Sequence, residues 1–357
     1  MRESILTSST SRNIIMLTKA EFRSLLDKRG SLVIDGGLAT QLEAHGHDLK
    51  HPLWSGKVLR DDPEAIKQVH LEYYLAGADI AITASYQTST YGLKKHLNIN
   101  DEGATELVQR SVRLAHEARD EAYRKGRGAD NAQDKLLIAG SVGPYGAFLD
   151  DGAEYTGNYG PDLTAEEYRR FHHPRVMALI DAGVDLLGIE TMPSLTELEA
   201  IKAMLKADFP DAIAWVSCTL RDAEHLSDGV DMRDVVYLML ESENVVAFGV
   251  NCVPITMVTA ALQNLQHVLE TIPEGEKKWI SIDGREHAGD MPLLCYPNSG
   301  ERWDGKKKVW EGTGAAETKD LEARVQYWRE AGARLIGGCC RTGPMFAEAV
   351  KKALASK

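Results

Sequence analysis

The stretch VDLLGIETMPSLTELEAIKAMLKA, residues 184–207, holds a complete folding unit. Val184 to Ile189 is a nearly unbroken apolar run closed by Glu190 and Thr191, the pattern of a strand buried on both faces. Pro193 interrupts it, and from Ser194 apolar residues recur at Leu195, Leu198, Ile201 and Leu205, three or four apart. That spacing lines one side of a helix. A strand followed closely by a covering helix is half of a parallel β–α–β repeat.

Worked outward, the same rhythm fills the chain. Strand-like runs lie at 31–37 (SLVIDGG), 79–85 (DIAITAS), 136–143 (LLIAGSVG), 184–191, 213–220 (IAWVSCTL), 245–252 (VVAFGVNC), 291–298 (MPLLCYPN) and 333–340 (ARLIGGCC). Helical patterns occupy 63–78, 104–126, 164–184, 194–207, 256–270, 320–333 and 344–356. Eight such rounds predict an α/β fold of the closed (β/α)8 TIM-barrel type in a single domain; an open doubly wound sheet is the alternative. KKWISIDG (277–284) is also strand-like, and residues 291–297 are preferred as the seventh strand because richer polar chemistry follows them. Residues 124–135 and 285–290 read as surface loops. The barrel is expected over 21–357. Residues 1–20, opening with the Ser- and Thr-rich MRESILTSSTSRNII, read as a disordered N-terminal extension in preference to a targeting segment.

The 357 residues are 43% hydrophobic and 26% charged, ordinary for a soluble globular protein. No apolar run approaches the roughly 18 residues needed to cross a bilayer. A net charge of −12 with no basic patch argues against nucleic acid and anionic membranes as partners. Five cysteines, an odd number, do not form a secreted disulfide framework and suit a reduced, cytoplasmic compartment.

A barrel assembles its site at the C-terminal ends of its strands. Collected there are Asp35-Gly36-Gly37, Tyr86-Gln87, Gly143-Pro144-Tyr145, Glu190-Thr191, Asn251-Cys252, Tyr296-Pro297-Asn298 and Cys339-Cys340. Cys252 precedes Cys339 by 87 residues, so only the fold can join them. Three thiolates with one open position is the ligand count of a catalytic zinc site. Neighbouring cysteines in a strand point to opposite faces, so both reach one ion only if the strand ends there. Arg341-Thr342-Gly343-Pro344 permits that turn, and Gly337 and Gly338 let the backbone approach closely. A phosphate cradle at the glycine pair stays open as another reading. Cys218 and Cys295 read as small core residues, and a Cys339–Cys340 disulfide is disfavoured because adjacent Cα atoms stand only about 3.8 Å apart.

A three-thiolate zinc is a poor generator of hydroxide, which disfavours a hydrolase. A substrate thiol bound in the fourth position would be held as an electron-rich thiolate, whose natural partner is a cationic electrophile such as a methyl sulfonium. Asp35 and Glu190 suit the ammonium of an amino-acid thiol, although each also reads as a turn or helix-start acid. Trp54, Tyr86 and Tyr296 suit a cation by cation–π contact. His70, His172 and His173 lie in helical patterns and read as structural or solvated.

DGGLATQLEAHG, AGADIAITASYQ, AGSVGPYGA, ETMPSLTELEA, GVNC, YPNSGE and GGCCRTGP, in order from about residue 31 to 355, together resemble the zinc-dependent homocysteine S-methyltransferases. GVNC with a late GGCC is the specific part. The resemblance implies a (β/α)8 barrel holding Zn2+ through Cys252, Cys339 and Cys340, with Asp35 and Glu190 on the amino group of homocysteine. From their place at the rim, Gly36, Thr191, Asn251 and Trp54 are expected in the substrate site, although Trp54 also reads as packing, and Tyr86, Tyr296 and Asn298 are expected to shape the donor pocket. The resemblance is nearer the S-methylmethionine or S-adenosylmethionine users than the betaine users, because Gln87 stands where the latter carry the tyrosine of a phenylalanine–tyrosine pair. A betaine enzyme, or a barrel that binds zinc and thiol without turnover, remains the alternative. The first thirty residues and the loop 274–290 lie outside the pattern.

Overall fold

The computed structural model describes residues 16–131, 134–160, 163–273, 281–282, 285–286, 291–304, 309–311 and 318–356. Its eight-stranded sheet consists of β1 (Leu32–Val33), β2 (Ile80–Ile82), β3 (Leu137–Val142), β4 (Leu186–Met192), β5 (Ala214–Cys218), β6 (Val245–Pro254), β7 (Leu293–Asn298) and β8 (Ala333–Ile336). Every neighbouring pair is parallel, in the order β1-β8-β7-β6-β5-β4-β3-β2. The ends meet through a parallel bridge between Ile34 and Ile80, with the Asp35 N–H donating to the Ile80 carbonyl at 3.0 Å. The sheet is therefore the closed barrel that the strand–helix rhythm predicts, not an open one.

The continuous apolar runs have the reason given for them: each strand is covered on both faces. Inside the barrel, Leu32, Ile80, Leu137, Leu186, Trp215, Leu294, Tyr296 and Leu335 form one core. Outside it, Val33, Ile138, Leu187, Val216, Phe248 and Ile336 pack against the helices in a second. The helix Lys19–Arg29 brings Phe22, Leu25 and Leu26 into the inner core. Thr18 and Glu21 start it with a reciprocal capping box. The domain boundary expected at residue 20 falls inside this helix, and residues 1–15 lie outside the described residues.

The seventh strand is Leu293–Asn298, on the preferred stretch. The competing stretch contributes Ser281–Ile282, which pairs antiparallel with Arg285–Glu286 apart from the barrel; its other residues, and 287–290, lie outside the described residues. Periodicity did not anticipate the short helices Leu38–Ala44, Ser55–Asp61, Thr90–Leu97 and Met232–Leu240. One or two turns give too few repeats for a helical period to register.

Among the described residues no helix is long and apolar enough to cross a membrane.

Candidate active site

Two strands bend where the site begins. The pairing register shifts between Ile189 and Met192 in β4 and between Asn251 and Pro254 in β6. At these irregularities Thr191 and Cys252 adopt left-handed backbone, with φ of 63° and 51°. Non-glycine residues rarely do so, and the strain collects at functional sites when the surroundings enforce it. Here Asn251 enforces it: its Oδ1 accepts from the Thr191 N–H at 2.8 Å and its Nδ2 donates to Thr191 Oγ1 at 2.9 Å. The bend turns the Cys252 sulfur toward the mouth of the barrel.

β8 supplies the other sulfurs by stopping early. After Ile336 the chain passes through Gly337-Gly338 and turns at Thr342, whose N–H and hydroxyl both donate to the Cys339 carbonyl. A Cβ at Gly337 would lie 2.6 Å from the Ile34 carbonyl, and one at Gly338 would run into the Thr342 side chain. Both glycines are thus required by close backbone approach. Cys252 Sγ stands 2.7 Å from Cys339 Sγ and 3.9 Å from Cys340 Sγ, and the latter two are 4.0 Å apart.

Asn298, at the end of β7, ties the two halves of this group together. It donates from Nδ2 to the Cys252 carbonyl at 3.0 Å and accepts the Cys340 N–H on Oδ1 at 3.1 Å.

Three sulfurs on a tetrahedral ion with about 2.3 Å bonds would stand about 3.8 Å from one another. Two of the separations match that spacing. The third is shorter, yet well beyond the roughly 2.05 Å of a disulfide bond. Among the described residues these three form the one cluster of His, Cys, Asp and Glu able to hold a metal. Hydrogen bonds from the other two thiols pull the Cys252 thiol well below the pKa of a free cysteine. Cys218 and Cys295 lie buried elsewhere, their thiols pushed up by burial, as core residues.

A cavity of about 830 Å³, counted out to its open mouth, lies against the sulfurs. This is in the range of small-molecule sites. Gly36, Trp54, Tyr86, Glu190, Thr191, Tyr296 and the three cysteines line it. Asp35, Asn251 and Asn298 stand behind the lining, at most 5% exposed. Asn251 and Asn298 are engaged as described, so both hold wall residues in place rather than face the cavity. Tyr296 stands on the floor, its hydroxyl sharing a 2.5 Å hydrogen bond with Ser217 and accepting from Trp215 Nε1 at 3.2 Å.

The acids define the electrostatics. Burial pushes Glu190 up to about 7 although the Ser141 hydroxyl donates to it, and the Cys252 charge adds to the rise. Asp35 accepts the Ile82 N–H at 2.8 Å on Oδ2, while Oδ1 is buried without a partner. Burial raises its carboxyl well above the usual range, with Glu190 contributing. Among the described residues no lysine or arginine lines the cavity to offset them. The result is an acid-lined pocket in which an incoming cation would restore the ionised carboxylates.

Sequence reading missed Glu154 and Tyr155, on the 3-10 turn Ala153–Tyr155 above the barrel. They come from a loop, where no period signals them. It also missed the apparatus beneath: buried Arg175 donates to the Tyr86 carbonyl at 2.8 Å and the Gly143 carbonyl at 2.5 Å. His172, buried, bonds Glu197 at 2.7 Å, consistent with its structural reading.

The homocysteine S-methyltransferase family model matches residues 32–354. This chain belongs to that family. The homocysteine S-methyltransferase of Escherichia coli strain K12 is 47% identical over 92% of this chain and 97% of its own length. YbgG of Bacillus subtilis strain 168, also named a homocysteine S-methyltransferase, is 43% identical over 90% of this chain and 93% of its own. The metallated crystal form of the homocysteine methyltransferase MmuM from Escherichia coli superposes with a TM-score of 0.77. It is 44% identical and spans 93% of this chain and 99% of its own. Within this family fold, the thiol cluster of the present chain has the composition and spacing of a group that could hold a metal ion.

Proposed function

We propose that this homocysteine S-methyltransferase moves a methyl group from a sulfonium donor, S-methylmethionine or S-adenosylmethionine, to homocysteine held at a zinc ion on Cys252, Cys339 and Cys340. The observation that carries the reading is the convergence of those three sulfurs, from β6 and the end of β8, on one acid-lined cavity. Bound there, zinc would lower the pKa of the substrate thiol and hold it as a nucleophile. Three cysteine ligands leave a fourth position for that thiol, and the all-sulfur donor set favours a thiophilic ion such as zinc.

The chain's own residues bind and orient. Glu190 takes the homocysteine ammonium at the cavity wall and Asp35, whose Oδ1 has no partner, backs it from just behind, with Gly36 and Thr191 bounding the amino acid from either side. Asn251 acts through Thr191, and Asn298 through the two cysteine segments it ties. Trp54, Tyr86 and Tyr296 offer ring faces to a sulfonium. In the reaction the donor sulfur–methyl bond breaks as a bond forms between that carbon and the homocysteine sulfur. The donor sulfur keeps the electron pair and becomes a neutral thioether, and the thiol proton goes to solvent. Positioning the two reactants supplies much of the acceleration. Gln87, buried at the cavity wall, argues against betaine as the donor. Five unpaired cysteines suit a reducing cytoplasm, and we assign the helix Lys19–Arg29, with Leu17 and Thr18 before it, to the homocysteine-binding domain together with the barrel.

Turnover of homocysteine with S-methylmethionine, S-adenosylmethionine and betaine, each under one condition, tests the donor. Methionine formed with either sulfonium in preference to betaine is the expected outcome; a preference for betaine would overturn it.

A further inference from the structure

Glu154 is a buried carboxyl for which the site as described has no use. It is 6% exposed and lines the cavity, and its Oε2 has no hydrogen-bond partner. Buried polar groups are almost always hydrogen-bonded, and an orphan in a ligand cavity calls for a donor from outside the chain.

Its placement is built, not incidental. The Thr219 hydroxyl donates to the Glu154 carbonyl at 2.9 Å, and Ser227 Oγ donates in turn to Thr219 Oγ1 at 3.1 Å. Glu197, wholly buried under the rim, clamps both flanks of the segment. It accepts the Tyr145 N–H at 2.6 Å and the Tyr159 hydroxyl at 2.5 Å. Gly146 lets the turn sit close, since a Cβ there would lie 2.6 Å from the Glu154 nitrogen. Asp35 follows β1 and Glu190 lies in β4, so barrel strands carry both and they form the floor pair. Glu154 is a separate acid, carried by the 3-10 turn Ala153–Tyr155 that roofs the cavity.

Resting on the methyl-transfer reading above, we infer that Glu154 binds the ammonium of the methyl donor. Two amino acids must meet in this cavity, and each brings an α-ammonium. The floor pair serves one, and the roof carboxyl is left for the other. A sulfonium has no N–H or O–H to donate, so it would leave Oε2 orphaned; an ammonium has three. Glu154 is therefore a specificity residue: it favours donors that are amino acids, S-methylmethionine and S-adenosylmethionine alike, over betaine, whose quaternary nitrogen has no hydrogen to give. Burial raises the Glu154 carboxyl to about 8. An incoming cation would restore its ionised form.

Glu154→Gln in the metal-loaded full chain is the test, with S-methylmethionine as donor. A charged hydrogen bond lost in a buried site is worth about 1.5–3 kcal/mol, a fall in kcat/KM of roughly 10- to 150-fold, carried mainly by the donor KM. Homocysteine affinity, measured by calorimetry without donor, should stay within about twofold. Methionine, which keeps the ammonium and lacks the sulfonium, should weaken as an inhibitor competing with the donor by about the same factor. The inference is overturned if donor KM is unchanged, if homocysteine affinity falls in parallel, or if methionine inhibition does not move with donor KM. Failure of the unsubstituted protein to methylate homocysteine would overturn the underlying reading instead. A folding defect in the variant would show as the parallel loss already counted against the inference.

Discussion

Asn251 holds Thr191 at two points, accepting its backbone N–H at 2.8 Å and donating to its hydroxyl at 2.9 Å across the barrel interior between β4 and β6. Thr191 needs this hold, because its left-handed backbone is strained for a β-branched residue. Glu190 precedes Thr191 and Cys252 follows Asn251. The pair therefore sets where an acid and a sulfur face each other. Replacing Asn251 by Ala strands a buried N–H and releases the bend. A loss of about 2–3 kcal/mol in urea unfolding is expected. An unfolding midpoint that the substitution leaves in place would show that Asn251 braces nothing.

Asn298 plays the corresponding part for the thiols, bonding the Cys252 carbonyl and the Cys340 N–H. Groups that orient metal ligands commonly contribute 10- to 100-fold in metal affinity. Asn298→Ala should weaken metal binding by about that factor in a chelator competition, while the apo protein keeps its barrel by circular dichroism.

Gly37 reports on the packing of the first strand end against the last. A Cβ there would lie 2.6 Å from the Cys339 carbonyl. Tyr73 reinforces the junction, its hydroxyl lying 3.1 Å from the Gly37 carbonyl and 2.9 Å from that of Thr342. Gly37→Ala must push the cysteine turn outward. Overpacking of this kind costs about 1–3 kcal/mol, and the displacement should lower metal stoichiometry as well as the melting temperature.

Raised carboxyls give the metal-free protein a predictable pH response. Glu190 is pushed up to about 7 and Glu154 to about 8, both chiefly by burial. An acid raised in the folded state binds more protons folded than unfolded, so stability falls as pH rises from the unfolded value near 4.5 through the folded one. The melting temperature of the apo protein should therefore drop between about pH 5 and 8. Glu154→Gln should flatten part of that slope and gain on the order of 2 kcal/mol at about pH 8 relative to the parent. A slope unchanged by the substitution would contradict the raised Glu154 carboxyl.

The barrel was legible because each strand is buried on both faces and each long helix on one, so both periods are written in the residues. Seven predicted helical segments coincide with helices, Pro344–Ala355 almost to the residue. The cysteines were legible for a different reason: Gly337 and Gly338 before the pair and the turn after it are a local signal of a strand that stops. What the sequence left out follows from geometry at a distance. Asn251 and Asn298 stand at strand ends like wall residues, and only the bends at Thr191 and Cys252 turn them into braces. Glu154 sits in a loop, and its place in the cavity roof depends on Thr219 and Glu197, which stand 65 and 43 positions further along the chain.

The central claim is that Cys252, Cys339 and Cys340 hold one zinc ion with room for the thiol of homocysteine. X-ray absorption at the zinc edge of the loaded protein, with and without homocysteine, tests it most directly. Three sulfur ligands at about 2.3 Å, rising to four when homocysteine is added, is the predicted result. A sulfur count that homocysteine leaves unchanged, or that stays at three in Cys252→Ser, would contradict it.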